Sequence, residues 1–379
     1  MSRAPFHLRT DSGGDDVVVT GPAPRLSWAL PRSWSGQDGY DLDIRVDGVA
    51  RPVVSVEGPS HLCVPWPLSR LRSEQRVSWR VRAHRGEESS PWSGRHDFEA
   101  GLFAEDWLAR WISPPDPSPA THLLAGGAHL HAPVATARLY TAALGVYEAF
   151  VNGSRAAAEP TPGRTSYAET LHAQAADVTH LLRHGDNHLE VLLSDGFCRG
   201  AAGIWRERDV RGTVAAARLE LHVRYEDGTR AVFGTGEDWV ARRGAVVAAD
   251  VMGGQRTDFS LPEEPWAPVR VDAVQRAPVS QPPAVRGQDS VCISRQVAYT
   301  DFRETATFTC SDADLNRPHE DARWTLRSDA VDIGRTGDFQ VFAPTAARLY
   351  DVHGFSRTWL RSVRDGRLGD AIVAVPWVL

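Results

Sequence analysis

Alternating apolar and polar residues mark the first quarter of the chain. One run ends in an Asp47-Gly48 turn and has its apolar side chains at Tyr40, Leu42, Ile44 and Val46. A second run carries Arg80 and Arg82 on its polar face and has its apolar side chains at Val77, Trp79, Val81 and Ala83. Successive side chains of a strand point to opposite faces, so each run predicts a half-buried strand. Strands at this spacing, broken by Gly and Pro, predict a small antiparallel sandwich over residues 17–105.

A second block of strands follows a proline-rich segment. Residues 113–120 contain four prolines, which do not fit a sheet interior and predict a linker that proteases cut first. Further along, alternation resumes and runs into Asp227-Gly228, one of the stronger hairpin signals; its apolar positions are Leu219, Leu221, Val223 and Tyr225. We therefore predict a second, jelly-roll-like β-sandwich over residues 120–270.

The pattern becomes helical towards the end of the chain. Ser311 precedes an acidic first turn and is predicted to cap a helix. Pro318 lies inside that helix, where a proline costs ~3 kcal/mol. Pro344 is predicted to open a second helix. Without further helices to cover it, the apolar stripe of this second helix would leave Phe355 and Trp359 exposed, together with Trp377 in the apolar tail.

The predicted fold class is mainly β, in three parts. Trp79–Ala83 followed by Pro91-Trp92-Ser93 resembles a fibronectin type III or immunoglobulin-like module, which fits the first sandwich. The second sandwich follows, and residues 300–379 form a short helical domain.

Composition and charge narrow the functional classes. The 379 residues include 42 Lys+Arg against 48 Asp+Glu, a formal net charge of −6, and every basic residue is arginine. The lack of lysine excludes a P-loop nucleotide site and a Schiff-base lysine. An acidic chain lacks the positive face that nucleic acids require, and no stretch approaches the ~18 apolar residues of a membrane span. The first residues lack the apolar run of a signal peptide, so we expect a cytoplasmic protein.

Metal and thiol chemistry receives little support. His129 and His131 share one face of a predicted strand, but no third ligand is near them in the sequence. Zinc takes three or four protein ligands, so surface positions are favoured for both histidines. The four cysteines are far apart and form no CxxC pair, which predicts small buried side chains in a reducing compartment. We predict neither a metal nor a cofactor.

Longer matches point to one family. Five segments carry the match: 193–196, 250–255, 307–312, 324–327 and 336–346. They resemble the second β domain and the entry to the catalytic domain of bacterial α-L-rhamnosidases, glycoside hydrolase family 78. The resemblance implies that residues 300–379 are a remnant of an (α/α)6 barrel. It also implies inverting hydrolysis of terminal α-L-rhamnose in rhamnose-containing glycosides, with Asp338 as an acid that helps to hold the sugar.

Three departures from the family pattern predict an impaired enzyme. The family's further β-sandwich before the helices is missing, and a short segment that holds its general acid is absent between Ile333 and Gly334. The barrel helices that carry the general base do not follow before Leu379. An inverting glycosidase needs both carboxylates, roughly 6.5–9.5 Å apart. No complete catalytic set is therefore predicted, and the activity of this chain stays open.

Two alternatives to an enzyme remain open. In the first, the chain is a non-catalytic rhamnoside-binding β-sandwich protein. In the second, it is a degenerate gene product with internal deletions. The family includes a calcium-assisted, rhamnose-binding second domain, but here no acid immediately precedes Asn152-Gly153, and Arg164 stands where an aromatic residue is common. The DNA sequence beyond codon 379 discriminates between the readings, because an in-frame continuation favours an enzyme and a stop codon favours a degenerate product.

Overall fold

The structure, a computed structural model, consists mainly of β-strands. It describes residues 4–11, 17–19, 21–116, 119–156, 167, 171–201, 207–250, 254–272, 278–280, 285–290, 295–300, 302–329 and 336–368. The strands form two sandwiches and the long helices come last, which confirms the predicted mainly β fold class. The chain divides into two compact units: the first holds Met1–Asp106, Arg303–Thr305 and Ala347–Arg357, and the second holds the remainder.

The first unit contains an immunoglobulin-like sandwich of ten strands among the described residues. They are β1 (Phe6–Thr10), β2 (Val17–Val19), β3 (Arg25–Ala29), β4 (Gly39–Val46), β5 (Val49–Ala50), β6 (Val54–Glu57), β7 (Val64–Pro65), β8 (Arg76–Arg85), β9 (Glu88–Ser89) and β10 (His96–Ala100). One sheet has the order β1-β3-β7 and the other β2-β10-β8-β4-β5, with β6 beside β4 and β9 beside β8. A 3-10 turn at Ala104–Asp106 ends this segment of the unit.

Two tryptophans lie at the centre of this sandwich. Trp28 and Trp79 are 1% and 0% exposed, and their ring centroids are 6.4 Å apart. Each indole N–H is satisfied, because Trp28 donates to Oε1 of Gln37 and Trp79 donates to Oγ1 of Thr10, over 3.2 and 3.1 Å. The side chains predicted to face the core from β4 and β8 are all buried, so the predicted alternation is confirmed.

Part of strand β8 is bordered by a loop. Ser90 and Ser93 donate their backbone N–H groups to the carbonyls of Ala83 and Val81 over 2.9 Å. The hydroxyl oxygens of the same serines accept the N–H groups of Ala83 and Val81 over 3.0 Å. Between the serines, the Trp92 ring lies 4.9 and 4.8 Å from the guanidinium carbons of Arg80 and Arg82. The loop thus pairs with the part of β8 that lies past the end of β10.

The second unit contains a larger β-structure. Its strands are β11 (Ile112–Ser113), β12 (His122–Leu130), β13 (Val134–Leu144), β14 (Val146–Val151), β15 (Ser154–Arg155), β16 (Leu171–Asp177), β17 (Gly185–Ser194), β18 (Ala216–Tyr225), β19 (Arg230–Gly234), β20 (Val240–Arg243), β21 (Val246–Asp250), β22 (Gly254–Thr257), β23 (Ala267–Pro268), β24 (Arg270–Val271), β25 (Pro278–Ser280), β26 (Val285–Ser290) and β27 (Arg295–Thr300). A 3-10 turn spans Thr179–Leu181.

Two large sheets pack face to face in this unit. One has the order β24-β11-β18-β13-β16-β25 with β19 beside β18, and the other has the order β15-β14-β17-β12-β20-β23. Residues of both sheets share one core, among them Leu139 and Leu221 from the first and Leu124 and Val191 from the second. The predicted hairpin is confirmed, because β18 and β19 pair around Gly228, whose φ is +86°. Pairs β21-β22 and β26-β27 are separate hairpins.

Long helices follow the β26-β27 hairpin, whereas the short helix α1 (Gly196–Arg199) lies earlier, within the second sandwich. The long helices are α2 (Ala313–Asp329), α3 (Thr336–Leu349) and α4 (His353–Leu368). Pro318 lies inside α2, as predicted. The prediction that Pro344 opens a helix is wrong, since α3 begins eight residues earlier and contains it. A proline ring removes one helical hydrogen bond and does not prevent a turn from forming on its N-terminal side.

The prediction of exposed aromatic residues on the last helix is also wrong. Phe355 and Trp359 are only 3% and 7% exposed, and Val363, one turn further on, is 8% exposed. Residues four apart share one helix face, so α4 has a buried apolar stripe. The exposed large apolar side chains of the helices lie elsewhere, at Leu315, Trp324, Val341 and Leu360. Trp377 lies outside the described residues.

Candidate functional site

Asp338, the predicted sugar-binding acid, is the third residue of helix α3. The structure describes its backbone within the helix, whereas its side chain and residues 330–335 lie outside the described part. A carboxylate in the first turn of a helix is stabilised by the positive end of the helix dipole. The backbone position is therefore suited to an ionised carboxylate, and the sugar contact of Asp338 stays a prediction.

The loop before α2 is held by its own polar side chains. Asp312, not Ser311, caps the helix, because its Oδ1 accepts the N–H of Asp314 over 2.9 Å. The Asn316 side chain donates to the Cys310 carbonyl over 2.8 Å and accepts the Cys310 N–H over 2.9 Å. The family-like residues at this point therefore shape the entry to the helices, where capping groups satisfy otherwise unpaired N–H groups.

Several acids of the helices are engaged in ion pairs. Glu320 pairs with Arg323 over 2.6 Å, and Asp321 lies 4.0 Å from Arg317. Asp365 pairs with Arg364 over 2.8 Å and is nearly fully buried. A general acid and a general base act on opposite faces of one sugar. Within the described stretches of the helices, these contacts assign no such pair of carboxylates.

The Ser194-Asp195-Gly196 segment builds a tight turn into α1. Gly196 has φ +50°, and a Cβ there would lie 2.5 Å from the backbone nitrogen of Val146, so only glycine fits. Asp195 is 5% exposed and pairs with Arg208 over 2.5 Å. Arg199 is 6% exposed, and its Nε donates to Asp209 over 2.9 Å. The sequence showed the motif but gave no signal for this buried charge cluster, because Arg199 ends α1 and Arg208 follows only later in the chain.

The two histidines considered as metal ligands have other partners. His129 pairs with Asp186, its cross-strand neighbour, over 2.7 Å, and both side chains are largely exposed. The His131 ring lies against Tyr225 with centroids 4.3 Å apart. Among the described residues, no group of three or more His, Cys, Asp or Glu side chains could hold a metal ion.

No helix in the described part of the chain is both long and apolar enough to cross a membrane. Within the described residues, Cys63, Cys198 and Cys310 take part in no disulfide bond; Cys198 is buried, and the other two are half-buried. Cys292 lies outside the described residues.

Three domain families match the chain in order. Residues 5–104 match the Rha78A-like N-terminal immunoglobulin domain, and residues 132–298 match the α-L-rhamnosidase N-terminal domain. Residues 303–378 match the bacterial α-L-rhamnosidase 6 hairpin glycosidase domain. The first match covers the ten strands of the first sandwich, the second covers the second sandwich from β13 onward, and the third begins just after the β26-β27 hairpin.

Two α-L-rhamnosidases are similar in sequence to this chain over part of their length. An α-L-rhamnosidase of Streptomyces avermitilis is 35% identical over 172 residues, which is 45% of this chain and 16% of that protein. An α-L-rhamnosidase of Formosa agariphila is 22% identical over 450 aligned positions, which cover 82% of this chain and 48% of that protein. This chain therefore spans less than half the length of these two relatives.

A solved structure shares the fold. The Streptomyces avermitilis α-L-rhamnosidase, solved in complex with L-rhamnose, superposes with a TM-score of 0.77 at 17% identity, over 97% of this chain and 65% of that chain. At such identity the likeness establishes the fold alone. Together with the ordered domain matches, it leads to one conclusion: the chain belongs to the bacterial α-L-rhamnosidase family.

Proposed function

We propose that the chain contributes to the recognition and inverting hydrolysis of terminal α-L-rhamnose in rhamnose-containing glycosides. The observation that carries the proposal is the order of the three domain matches, which end in the glycosidase domain. The relative solved with L-rhamnose supports the choice of sugar.

We further propose that these 379 residues do not hydrolyse rhamnosides by themselves. The alignment with the Formosa agariphila protein covers 450 positions, more than this chain contains, so that protein has positions with no counterpart here. From the family resemblance we place one such stretch at the junction before the helices, where the described residues hold only the β26-β27 hairpin. General acid–base groups contribute about 10²–10⁴-fold each, so losing both removes most of the rate enhancement.

The test is hydrolysis of a chromogenic α-L-rhamnoside by the purified 379-residue chain. We expect no turnover above buffer. Asp338→Asn and, as a matched control, Asp314→Asn on the exposed side of α2 should be indistinguishable from the wild type. Turnover that Asp338→Asn abolishes and Asp314→Asn leaves intact would overturn the proposed inactivity and assign a catalytic or binding role to Asp338.

A rhamnoside-binding sandwich without a catalytic domain is less well supported. A depression on the second sandwich is lined by Tyr147, Glu148, Arg155 and Gln174. Its polar groups already bind one another: the Tyr147 hydroxyl lies 2.7 Å from Oε1 of Gln174, and Arg155 pairs with Glu148 over 2.9 Å. A sugar would have to replace these contacts, which reduces the net gain from binding.

A further inference from the structure

The first strand of the chain holds a histidine in an unusual backbone conformation. His7 lies on β1 and has φ +50°, in the left-handed region that residues other than glycine rarely adopt. The pairing of β1 with β3 shifts by one residue between Phe6 and Arg9, so His7 lies in a β-bulge. A bulge re-aims the side chain that it carries, and a strained residue persists only where the surrounding structure holds it.

The re-aimed imidazole accepts a hydrogen bond from an arginine of the same unit. Nη2 of Arg303 lies 2.8 Å from Nδ1 of His7. A guanidinium group has only donors, so Nδ1 is the acceptor and the proton of the neutral ring is on Nε2. A protonated imidazole carries an N–H group at both nitrogens and can accept nothing. This hydrogen bond is therefore compatible only with the neutral form of His7.

The charges around His7 are mainly positive. Arg9 on the same strand, Arg32 in the segment after β3 and Arg303 all act on the ring. Among the described residues, one carboxylate acts on it, that of Asp351, which already pairs with Arg9 over 2.8 Å. Partial burial, followed by the charges of Arg303 and Arg9, lowers the pKa of His7 from its ordinary 6.5. Protonation would add a further cation next to three arginines.

Arg303 belongs to a short backbone pairing within the first unit. Its carbonyl accepts the N–H of Asp351 over 2.8 Å, and the N–H of Thr305 donates to the carbonyl of Leu349 over 2.9 Å. This pairing holds the segment that leads into the helices beside the link between α3 and α4. Asp351 joins the pairing to β1 through its ion pair with Arg9. The hydrogen bond from Arg303 to His7 is a second contact between the pairing and β1.

We propose that His7 is a pH-sensitive latch, whose protonation breaks the hydrogen bond to Arg303 and loosens the pairing of residues 303–305 with residues 349–351. The closed latch requires the neutral ring, whereas in the open state the ring takes up a proton from solvent in its ordinary range. Above pH 6.5 His7 therefore keeps the latch closed, and below pH 6.5 proton binding increasingly favours the open state. The latch does not involve a rhamnoside, so its failure would leave the proposed function untouched.

Hydrogen–deuterium exchange of the 379-residue chain, followed by mass spectrometry, measures the opening. The amide groups of Thr305 and Asp351 are the donors of the pairing, so their protection reports whether it is closed. We compare pH 7.5 with pH 5.5 after correction for the intrinsic exchange rates. One pH unit below an ordinary pKa, the protonated imidazole exceeds the neutral one about tenfold. We therefore expect the protection of these peptides in the wild type to fall by about three- to tenfold.

His7→Asn is the diagnostic variant. Asparagine tolerates the left-handed conformation, and its Oδ1 occupies the position of Nδ1, so it can accept the hydrogen bond from Arg303 without titrating. We expect wild-type protection at pH 7.5 and a fall of at most about twofold at pH 5.5. That remainder comes from His353 at the start of α4, because burial lowers the pKa of this histidine as well. His61→Asn, in the loop between β6 and β7, is the matched control and should keep the wild-type fall.

An NMR titration of the histidine rings provides an independent measurement. The ring signal that disappears in His7→Asn should titrate with a pKa below 6.5 in the wild type and with a higher pKa in Arg303→Gln, which removes the nearest charge. The proposal is overturned if the protection in the wild type does not fall between pH 7.5 and pH 5.5, or if it falls equally in His7→Asn. It is also overturned if Arg303→Gln leaves the pKa of His7 unchanged.

Discussion

The carboxylate of Glu220 is fully buried, and both of its oxygens have partners. Oε2 accepts the backbone N–H groups of Leu108 and Ala109 over 2.7 and 2.6 Å, and Oε1 lies 2.7 Å from Nε2 of His222. Arg218, on the same strand, donates to the carbonyl of Ala109 over 2.6 Å. These contacts fix the segment that opens the second unit. The alternating pattern of β18 predicted a strand here, but no pattern in the sequence pairs Glu220 with a segment more than one hundred residues earlier.

Replacing Glu220 by glutamine should destabilise the second unit. The amide group keeps the size of the side chain but removes the charge, and one of its two ends can no longer accept a hydrogen bond. Hydrogen bonds to a charged group contribute about 1.5–3 kcal/mol, so we expect Glu220→Gln to lower the free energy of unfolding by about 2 kcal/mol. Urea denaturation followed by tryptophan fluorescence measures this change. Glu226→Gln, an exposed carboxylate just beyond β18, is the control, and an equal loss in both variants would contradict the assigned role.

His172 should make stability depend on pH. The ring is 3% exposed, and burial, with a smaller contribution from Arg361, lowers its pKa from 6.5 to about 4. Between these values the unfolded chain binds a proton that the folded protein does not. Above pH 6.5 His172 therefore does not lower the free energy of unfolding. As the pH decreases towards 4, this group lowers the free energy of unfolding by up to roughly 3 kcal/mol.

The pH effect is measured by urea denaturation at pH 7 and pH 5 for the wild type and His172→Gln. The variant should lose less stability between the two pH values than the wild type. His180→Gln, at an exposed position of the same unit, should keep the wild-type difference. If His172→Gln shows that same difference, the buried imidazole is not the source of the pH dependence.

At the scale of single elements, strands could be predicted better than helices. Alternation identified β4, β8 and β18, because a strand's two faces differ in burial at every second residue. The helices have a weaker signal, and Pro344, which was expected to open a helix, lies inside α3. The cap at Asp312 was assigned one residue early, since Ser and Asp are both favoured caps.

Pro318 should be a source of instability in α2. It is the sixth residue of the helix, where it removes the hydrogen bond to the carbonyl of Asp314 and crowds that group. Pro318→Ala should raise the free energy of unfolding by about 1–3 kcal/mol, and the unfolding should be followed by circular dichroism at a helical wavelength. Pro262→Ala, at an exposed position outside regular structure, should have no such effect. A loss of stability in Pro318→Ala would contradict this and show that the proline stabilises the folded protein.

At the scale of the whole molecule, the order of the two sandwiches and the helices could be predicted from the sequence more readily than the boundaries between them. The proline-rich segment 113–120 was expected to separate the two sandwiches, but the compact units divide between Asp106 and Trp107. Ile112–Ser113 already pairs with β18 and β24 as part of the second unit. The sugar contact of Asp338 stays a prediction, because its side chain lies outside the described residues.

A protease that cuts within residues 114–120 should nick the chain without separating its two pieces. The N-terminal piece would keep β11, and the contacts of Glu220 and Arg218 with residues 107–109 would hold it to the second unit. Trypsin is unsuitable, because the segment contains no Arg or Lys, so proteinase K is the reagent of choice. We expect the two fragments to co-elute in size-exclusion chromatography under native conditions. Separate elution would show that the strand pairing does not survive cleavage.

The loop of Ser90, Trp92 and Ser93 protects one edge of β8 against pairing with a strand of another copy of the protein. An unpaired strand edge is a template on which another chain can add a strand, and such edges promote aggregation. Beside Val81 and Ala83, the serine hydroxyls occupy the N–H groups of β8 that a foreign strand would need. The arginines that flank Trp92 add charge at the same place. The side chains of two serines thus close an edge that would otherwise require another strand.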